Sequence, residues 1–351
     1  MASLDTTVAR IDAPDEGCAA AAQRAFDAKT KPRGSLGRLE ELASRVAAIR
    51  RQPAPGPEPA AVVVVAGDHG IAEEGVSAYP QEVTAQMLAN FAAGGAAICV
   101  LARAAGARLV VVDAGVSGDL RVEGVLDRRI GPGTANAARG PAMTRAQAVQ
   151  ALETGIELAE ELAGEGVGLL ALGDMGIGNT AISSAIAACL LGREPEELVG
   201  RGTGVDDDGL RAKAAAVRRA LEVNAPDPRD PVGVLAAVGG FEHGVLAGLV
   251  LGAAAAHVPV VLDGVIVSAA ALLAARIAPA ARGAMIAAHL SPEPAHTLVL
   301  ADLGLTPLLD LGMRLGEGSG AALGVQLVDD ALLLLRDMAT FEGAGVTDAG
   351  A

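Results

Sequence analysis

Short apolar runs rich in β-branched residues alternate along the chain with longer segments of helical periodicity. The apolar runs predict strands over 61–66, 108–112, 167–172 and 258–262, and a weaker run predicts a fifth over 284–288. Helices are predicted over 15–50 with a turn at 31–35, over 80–105, 144–164, 179–192, 208–223 and 230–256, and on to 277. This alternation is typical of βαβ units, so the sequence predicts an α/β fold with a mostly parallel, Rossmann-like sheet flanked by helices.

Four prolines fall within residues 51–60, which indicates a linker rather than a helix or a strand. The linker and the strand pattern together predict a parallel-sheet α/β domain over 60–300. The helical segments before it (1–59) and after it (301–351) are left to form a smaller, mainly helical domain.

Polar residues follow four of the predicted strands. They are Asp68 with His69, then Asp113, Asp174 and Asp263. Open parallel sheets bind ligands beyond the carboxyl ends of their strands. We therefore expect the functional site at this edge of the sheet.

The composition narrows the function. The 351 residues carry a formal net charge of −15, which repels nucleic acid and anionic lipid, so we expect neither as a partner. A small phosphorylated ligand remains compatible, because it needs only a local anion site. Aromatic residues make up only 1% of the chain, so the core is predicted to consist of Ala, Val and Leu.

Neither the three cysteines nor the five histidines show a spacing typical of a metal site. We therefore expect no metal ion. Cysteines without a disulfide pattern indicate a reducing compartment. The N-terminal residues lack the basic and apolar pattern of a signal peptide, so the sequence predicts a cytoplasmic protein.

Residues 244–279 are almost wholly apolar and raise the question of a membrane span. His257, Pro259 and Asp263 interrupt the run near its middle, and Lys or Arg does not flank its N-terminal side. A buried helix followed by a buried strand explains the segment better.

Two glycine-rich segments could place backbone N–H groups around an anion. Residues 173–180 (GDMGIGNT) join a strand to a helix, where a phosphate site and a tight turn capped by Asn179 or Thr180 are equally good interpretations. The GxxGxG spacing, with no Lys after it, does not support a dinucleotide or ATP site. In residues 200–208 (GRGTGVDDD) the aspartates are better explained as caps of the next helix than as metal ligands. Lys213 on that helix is either a surface charge or a phosphate ligand.

Glu317 lies among three glycines in residues 315–320 (LGEGSG), before an apolar helix predicted over 321–337. A closely packed loop of this kind can carry a carboxylate into a cleft as a catalyst. Alternatively, the acid stabilises the helix N-terminus, and the residues alone slightly favour that second role. A Ser/His/Asp triad is not indicated, because no GxSxG is present.

Seven segments, taken in order, resemble one enzyme family, the nicotinate-nucleotide–dimethylbenzimidazole phosphoribosyltransferases. Each segment is a weak signal alone, but their ordered combination is highly specific. They are residues 31–40 (KPRGSLGRLE), 67–70 (GDHG) with 74–76 (EGV), 176–180 (GIGNT), 200–204 (GRGTG), 239–242 (GGFE), 262–264 (LDG) and 314–321 (RLGEGSGA).

The resemblance implies a homodimer that acts on small molecules without a cofactor. The implied reaction transfers 5-phosphoribose from nicotinate mononucleotide to 5,6-dimethylbenzimidazole, giving α-ribazole 5′-phosphate and nicotinate. This step builds the nucleotide loop of the cobalamin lower ligand. Two alternatives stay open on sequence alone: a related phosphoribosyltransferase with another acceptor base, and a catalytically silent nucleotide-binding protein.

The resemblance also implies roles for individual residues. Glu317 falls on the general base, and Asp174 on a catalytic position where the family usually has Glu. The acceptor pocket falls near Tyr79, Met87 and Leu315, and Tyr79 narrows the range of bases. The remaining substrate-binding positions are Gly176, Gly178, Asn179, Thr180, Gly202, Lys213, Asp263 and Ser291.

Overall fold

The computed structural model describes residues 3–118 and 121–347. Within them, one sheet of six parallel strands has the order β3-β2-β1-β4-β5-β6. The strands are β1 (Ala60–Gly67), β2 (Arg108–Gly115), β3 (Val125–Asp127), β4 (Leu169–Met175), β5 (Val260–Leu262) and β6 (Met285–Ala287). This is the strand order of a doubly wound dinucleotide-binding fold. The predicted α/β class and parallel sheet are confirmed.

Helices cover both faces of the sheet. In chain order they are α1 (Leu4–Val8), α2 (Glu16–Asp27), α3 (Arg38–Arg50), α4 (Glu82–Ala92), α5 (Ala97–Ala104), α6 (Arg145–Gly164), α7 (Asn179–Leu191), α8 (Pro195–Leu198), α9 (Asp207–Asn224), α10 (Pro231–Val238), α11 (Phe241–Ala255), α12 (Val265–Ile277), α13 (Pro294–Leu303), α14 (Ser319–Asp337) and α15 (Phe341–Ala344). Short 3-10 turns cover Gly70–Glu74 and Pro279–Ala284.

The sequence prediction differs from the structure where glycines interrupt a helical pattern. The helix predicted over 80–105 is two helices, α4 and α5, because Gly94 takes a left-handed φ of 76° between them. The helix predicted over 230–256 breaks at Gly239 and Gly240. Strand β3 was not predicted, since its three residues are half-buried or exposed and lack the long apolar run of a central strand.

Strand β1 shows how the two layers form. Val63 and Val65 pack against the core under α6, α7, α11 and α12, whereas Val62 and Val64 pack under α2, α3, α5 and α14. Successive side chains of a strand point to opposite faces, so eight small apolar residues serve both layers. Helices α2, α3 and α14, from the two ends of the chain, therefore share a core with the sheet. The predicted division into domains at residues 59 and 300 stays a prediction.

Two apolar segments bear on a membrane location. Residues 244–279 form the buried α11, β5 and α12, as predicted. A second segment, Glu82–Ala104, is long and apolar enough to cross a membrane; an 18-residue stretch of it has a mean hydropathy of 1.6 and is 33% buried. It is built from α4 and α5 rather than one continuous helix.

Candidate active site

A cavity of about 350 Å³ opens at the carboxyl ends of β4, β5 and β6, beside the point between β1 and β4 where the strand order reverses direction. Such switch points are the usual ligand sites of open α/β sheets, and the volume suits a small ligand. Most of the predicted site residues lie in its wall: Tyr79, Asp174, Gly176, Asn179, Thr180, Gly202, Ser291, Leu315 and Glu317.

One end of the cavity is suited to an anion. The turn after β4 leads directly into α7, whose N-cap Gly178 has a left-handed φ of 97°. The free backbone N–H groups and the dipole of α7 favour a negative charge there. Gly176 permits the turn, because a Cβ at this position would collide with the carbonyl oxygen of Gly67.

Lys213 supports this end from behind the wall. Its Nζ donates hydrogen bonds to Thr180 Oγ1 at 2.7 Å and to the carbonyl oxygen of Gly200 at 3.0 Å. Burial lowers the pKa of the Lys213 ammonium to about 8, although the charge of Glu293 opposes this. In this structure Lys213 therefore holds the loops that line the anion end rather than facing the cavity.

Arg314 is a cation at the cavity that was not among the predicted site residues. Its Nη1 donates to the carbonyl oxygen of Gly202 at 3.2 Å, and the N–H of Gly202 donates to Glu293 Oε1 at 2.9 Å. Its place next to Leu315 in the RLGEGSGA segment was the available signal. His289, at the end of β6, also lines the cavity.

Glu317 lies at the other end of the cavity in an unusual backbone conformation. Its φ is 62°, a left-handed value that residues other than Gly, Asn and Asp seldom adopt. Only 8% of the residue is exposed, and Oε2 has no hydrogen-bond partner within the described residues. Burial raises the pKa of the Glu317 carboxyl. A backbone hydrogen bond from Ile98 opposes this shift, and the charge of Asp263 adds to it.

The loop that carries Glu317 is fixed from below by Asp263. The two carboxylate oxygens accept hydrogen bonds from the backbone N–H groups of Gly318 (3.1 Å), Gly320 (2.7 Å) and Ala321 (3.0 Å). Asp263 thus caps α14 and lies behind the cavity wall, where the prediction had placed it against the substrate. Gly173 allows the loop to lie this close, since a Cβ there would come within 2.5 Å of the Glu317 carbonyl oxygen.

Asp174 lies between the two ends. Its Oδ2 accepts a hydrogen bond from Asn179 Nδ2 at 2.8 Å, while Oδ1 is buried without a partner in the described part of the chain. Burial, followed by the charges of Asp263 and Glu242, raises the pKa of the Asp174 carboxyl well above its ordinary value. The hydrogen bond from Asn179 lowers it, and the charge of Glu317 raises it further.

Two other predicted residues do not line the cavity. Met87 on α4 is half-buried against the core under that helix. Gly178 faces His69 and Ile71, since a Cβ on it would lie 3.5 Å from a carbon of each. The roles predicted for the individual site residues therefore stay predictions, although most of these residues share one cavity.

Comparison with known proteins agrees with this geometry. A phosphoribosyltransferase family model matches residues 11–346. Nicotinate-nucleotide–dimethylbenzimidazole phosphoribosyltransferases from Desulforudis audaxviator and Roseiflexus castenholzii are each 54% identical to the chain, and each alignment covers 99% of both sequences. The crystal structure of CobT from Thermus thermophilus superposes with a TM-score of 0.91 at 50% identity, covering 95% of this chain and 100% of that one. The chain therefore belongs to the nicotinate-nucleotide–dimethylbenzimidazole phosphoribosyltransferase family of pentosyltransferases.

Proposed function

We propose that the protein transfers 5-phosphoribose from nicotinate mononucleotide to 5,6-dimethylbenzimidazole, with Glu317 as the general base. The products are α-ribazole 5′-phosphate and nicotinate, and the step serves assembly of the cobalamin lower ligand. One observation carries the proposal: a buried carboxylate of raised pKa and the anion-binding N-terminus of α7 line the same cavity.

The anion end receives the 5′-phosphate of the nucleotide. The backbone N–H groups of Gly176, Gly178 and Thr180 donate to the phosphate oxygens, and the hydroxyls of Thr180 and Ser291 lie in the same wall. The guanidinium of Arg314 adds a positive charge on the open side. The ribose then points toward Glu317.

The leaving group needs little help from the protein. Nicotinate mononucleotide carries a cationic pyridinium at C1′, so breaking the C1′–N bond returns the electron pair to a neutral ring nitrogen. The reaction therefore needs no acid on the leaving group, and no pyrophosphate has to be neutralised. The attacking nitrogen of the base forms the new C1′ bond from the opposite face, which converts the β-nucleotide into an α-ribotide.

The acceptor is the weaker partner, because a neutral benzimidazole is a poor nucleophile. Glu317 accepts the proton of the acceptor's ring N–H as the other ring nitrogen attacks C1′. The raised pKa of the Glu317 carboxyl makes its carboxylate a stronger base than an exposed one, which improves its match to this proton. The left-handed backbone at this residue is the kind of strain that persists at functional sites.

Asp174 contributes as a neutral carboxyl group. Its raised pKa keeps the proton on the side chain to higher pH than usual. In that form it donates a hydrogen bond from one oxygen while the other accepts from Asn179. We assign it to orienting the ribose, midway between the phosphate end and Glu317.

We further propose that the protein is a cytoplasmic homodimer. An 18-residue stretch of the apolar segment Glu82–Ala104 is only one-third buried in a single chain, and Val100 in that segment is 53% exposed. Burial of this surface against a second copy removes it from water, and an obligate dimer interface is typically apolar.

A direct assay tests the proposed function. Purified protein is incubated with nicotinate mononucleotide and 5,6-dimethylbenzimidazole, and the products are separated by liquid chromatography. Nicotinate and α-ribazole 5′-phosphate are expected in equal amounts, with no nicotinate when the base is omitted. Binding of the nucleotide without release of nicotinate would instead indicate a silent binding protein. Competition between dimethylbenzimidazole, adenine and p-cresol identifies the preferred acceptor.

A further inference from the structure

A second group of polar side chains lies behind the anion end of the cavity and takes no part in the proposed reaction. His69 follows β1, while Glu242 and His243 begin α11. The side chains of all three are fully buried. The GDHG and GGFE segments contain His69 and Glu242, but the sequence did not predict that these residues meet, because they are distant along the chain.

Two imidazole nitrogens of the cluster approach one carboxylate oxygen closely. His69 Nε2 lies 2.8 Å and His243 Nδ1 lies 2.7 Å from the same atom, Glu242 Oε1. Yet neither nitrogen and neither oxygen of Glu242 makes a hydrogen bond with any described residue. A hydrogen bond requires the N–H to point at the acceptor, so these rings approach the carboxylate off their N–H axes.

The three groups are close enough together to share one ion. One ligand atom from each residue lies within 4.8 Å of the others. Two imidazoles and a carboxylate are a typical donor set for zinc, with bonds of about 2.0–2.2 Å. Because neighbouring ligand atoms of a tetrahedral zinc lie roughly 3.3 Å apart, an ion would spread the present contacts slightly. Both oxygens of Glu242 are free to coordinate, which gives four donor atoms.

The residues around the cluster leave room for the Glu242 carboxylate and orient the His243 ring. A Cβ at Gly67 would lie 2.7 Å from Glu242 Oε2, and one at Gly240 would lie 2.5 Å from it, so only glycine leaves room. The other ring nitrogen of His243 contacts Ser183 Oγ at 2.9 Å, an outer hydrogen bond of the kind that fixes the orientation of metal-binding histidines.

The burial of the cluster also favours a cation. The Glu242 carboxylate is fully buried, and a divalent ion would offset its negative charge in a place that water does not reach.

We propose that His69, Glu242 and His243 bind one divalent transition-metal ion, with zinc as the best fit, in a structural role. The ion would tie the end of β1 to the start of α11. It would also stiffen the phosphate loop, because a Cβ at Gly176 would lie 3.2 Å from His69 Nε2. This role involves no reacting atom and does not rest on the proposed function.

Refolding tests the site, since its burial excludes simple exchange. The protein is unfolded with a chelator, refolded with or without Zn²⁺, and passed through gel filtration before its metal content is measured by mass spectrometry. We expect one ion per chain and a Tm about 5 °C higher with the ion. Refolding with Co²⁺ should give the visible absorption of tetrahedral cobalt. Native protein that retains no ion, and shows neither the Tm shift nor the cobalt spectrum, would overturn the proposal.

A matched pair of variants locates the ion. His243→Asn should lose stoichiometric zinc and the cobalt absorption, whereas His257→Asn, a histidine outside the cluster, should keep both. Equal metal content in the two variants would show that the ion binds elsewhere. If His243→Asn fails to fold, the cobalt spectrum of the unaltered chain still decides.

Discussion

Glu317 and Glu242 are both buried glutamates at the same edge of the sheet, yet their surroundings shift their pKa values in opposite directions. At Glu317, burial and the neighbouring charge of Asp263 raise the pKa of the carboxyl. At Glu242, burial also acts to raise the pKa, but the charges of His69 and His243 outweigh it and leave the value below the ordinary one. Burial alone therefore does not decide whether a carboxyl group is a base or a fixed charge; its neighbours do.

The backbone makes the same distinction. Glu317 lies on a strained loop and lines an open cavity, whereas Glu242 lies in the first turn of α11 and is enclosed by glycines. A carboxyl group that exchanges a proton with a ligand must be accessible to that ligand. A carboxyl group that stabilises the fold is instead enclosed by the protein. Substitutions at the two positions should therefore affect different properties.

The largest expected effect is on catalysis, from Glu317→Gln. The amide keeps the size of the side chain but accepts no proton, so turnover should fall about 10²–10⁴-fold. Nucleotide affinity should stay unchanged, because the phosphate binds at the other end of the cavity. Steady-state kinetics and nucleotide titration measure the two quantities.

In the unaltered enzyme, kcat should fall as the pH drops through the raised pKa of Glu317, and the variant should lack that dependence. Turnover within tenfold of normal would remove Glu317 from the role of base.

The second effect is on stability, from Glu242→Gln. Removing one partner from a buried charged cluster typically costs about 3–5 kcal/mol. In the metal-free protein the folded pKa of Glu242 is depressed, so its contribution to stability is present above the unfolded pKa of about 4.3 and is lost only below it. Urea unfolding at pH 7 should show the loss. Glu222→Gln on the exposed face of α9 is the control and should change stability by less than about 0.5 kcal/mol. If Glu242→Gln were as stable as the parent, the charge of Glu242 would not contribute to the stability of the folded protein.

The contrast between these two glutamates was only partly visible in the sequence. The RLGEGSGA segment and its family resemblance singled out Glu317, and β-branched runs such as residues 62–65 identified the central strands. A polar residue at a strand end, however, does not reveal which way it faces. Asp263 faces the Glu317 loop, and Lys213 faces Thr180, because of helix and loop positions that only the tertiary structure sets.

The cluster around Glu242 was out of reach for a related reason. Spacing identifies a metal or charge site when its ligands lie on one short segment. Here the chain crosses the sheet several times between His69 and Glu242, so nothing local links them. The order of the six strands also depends on how the chain crosses between them, which no single strand reveals. The three residues of β3 carry too few apolar positions for the sequence to predict a strand there.

A smaller effect, of the opposite sign to that of Glu242→Gln, is expected from Asp174→Asn. The folded pKa of Asp174 lies above its unfolded value, so the folded state holds its proton more tightly and stability falls as pH rises between the two values. The amide avoids this cost and still accepts a hydrogen bond from Asn179. The variant should be about 0.5–2 kcal/mol more stable than the parent at pH 7, with reduced turnover. The gain should vanish below pH about 4, where both states of the parent are protonated. Urea unfolding of both proteins at the two pH values measures it, and a gain independent of pH would refute the assignment.

The smallest expected effect comes from Tyr79 at the rim of the cavity that holds Glu317. It tests whether this cavity, unlike the enclosed site of Glu242, is open to a ligand. Tyr79 lies at the rim and is 56% exposed, so its ring can stack on an acceptor base without supporting the fold. Such an aromatic contact is worth about 0.5–1.5 kcal/mol. Tyr79→Ala should therefore raise the KM for dimethylbenzimidazole about two- to tenfold, with kcat and the KM for the nucleotide nearly unchanged. Tyr79→Phe keeps the ring and should behave like the parent. If the alanine variant instead lowers kcat or the Tm, Tyr79 acts on the Glu317 loop or the fold rather than on the base, and the rim is less independent of the buried region than the structure indicates.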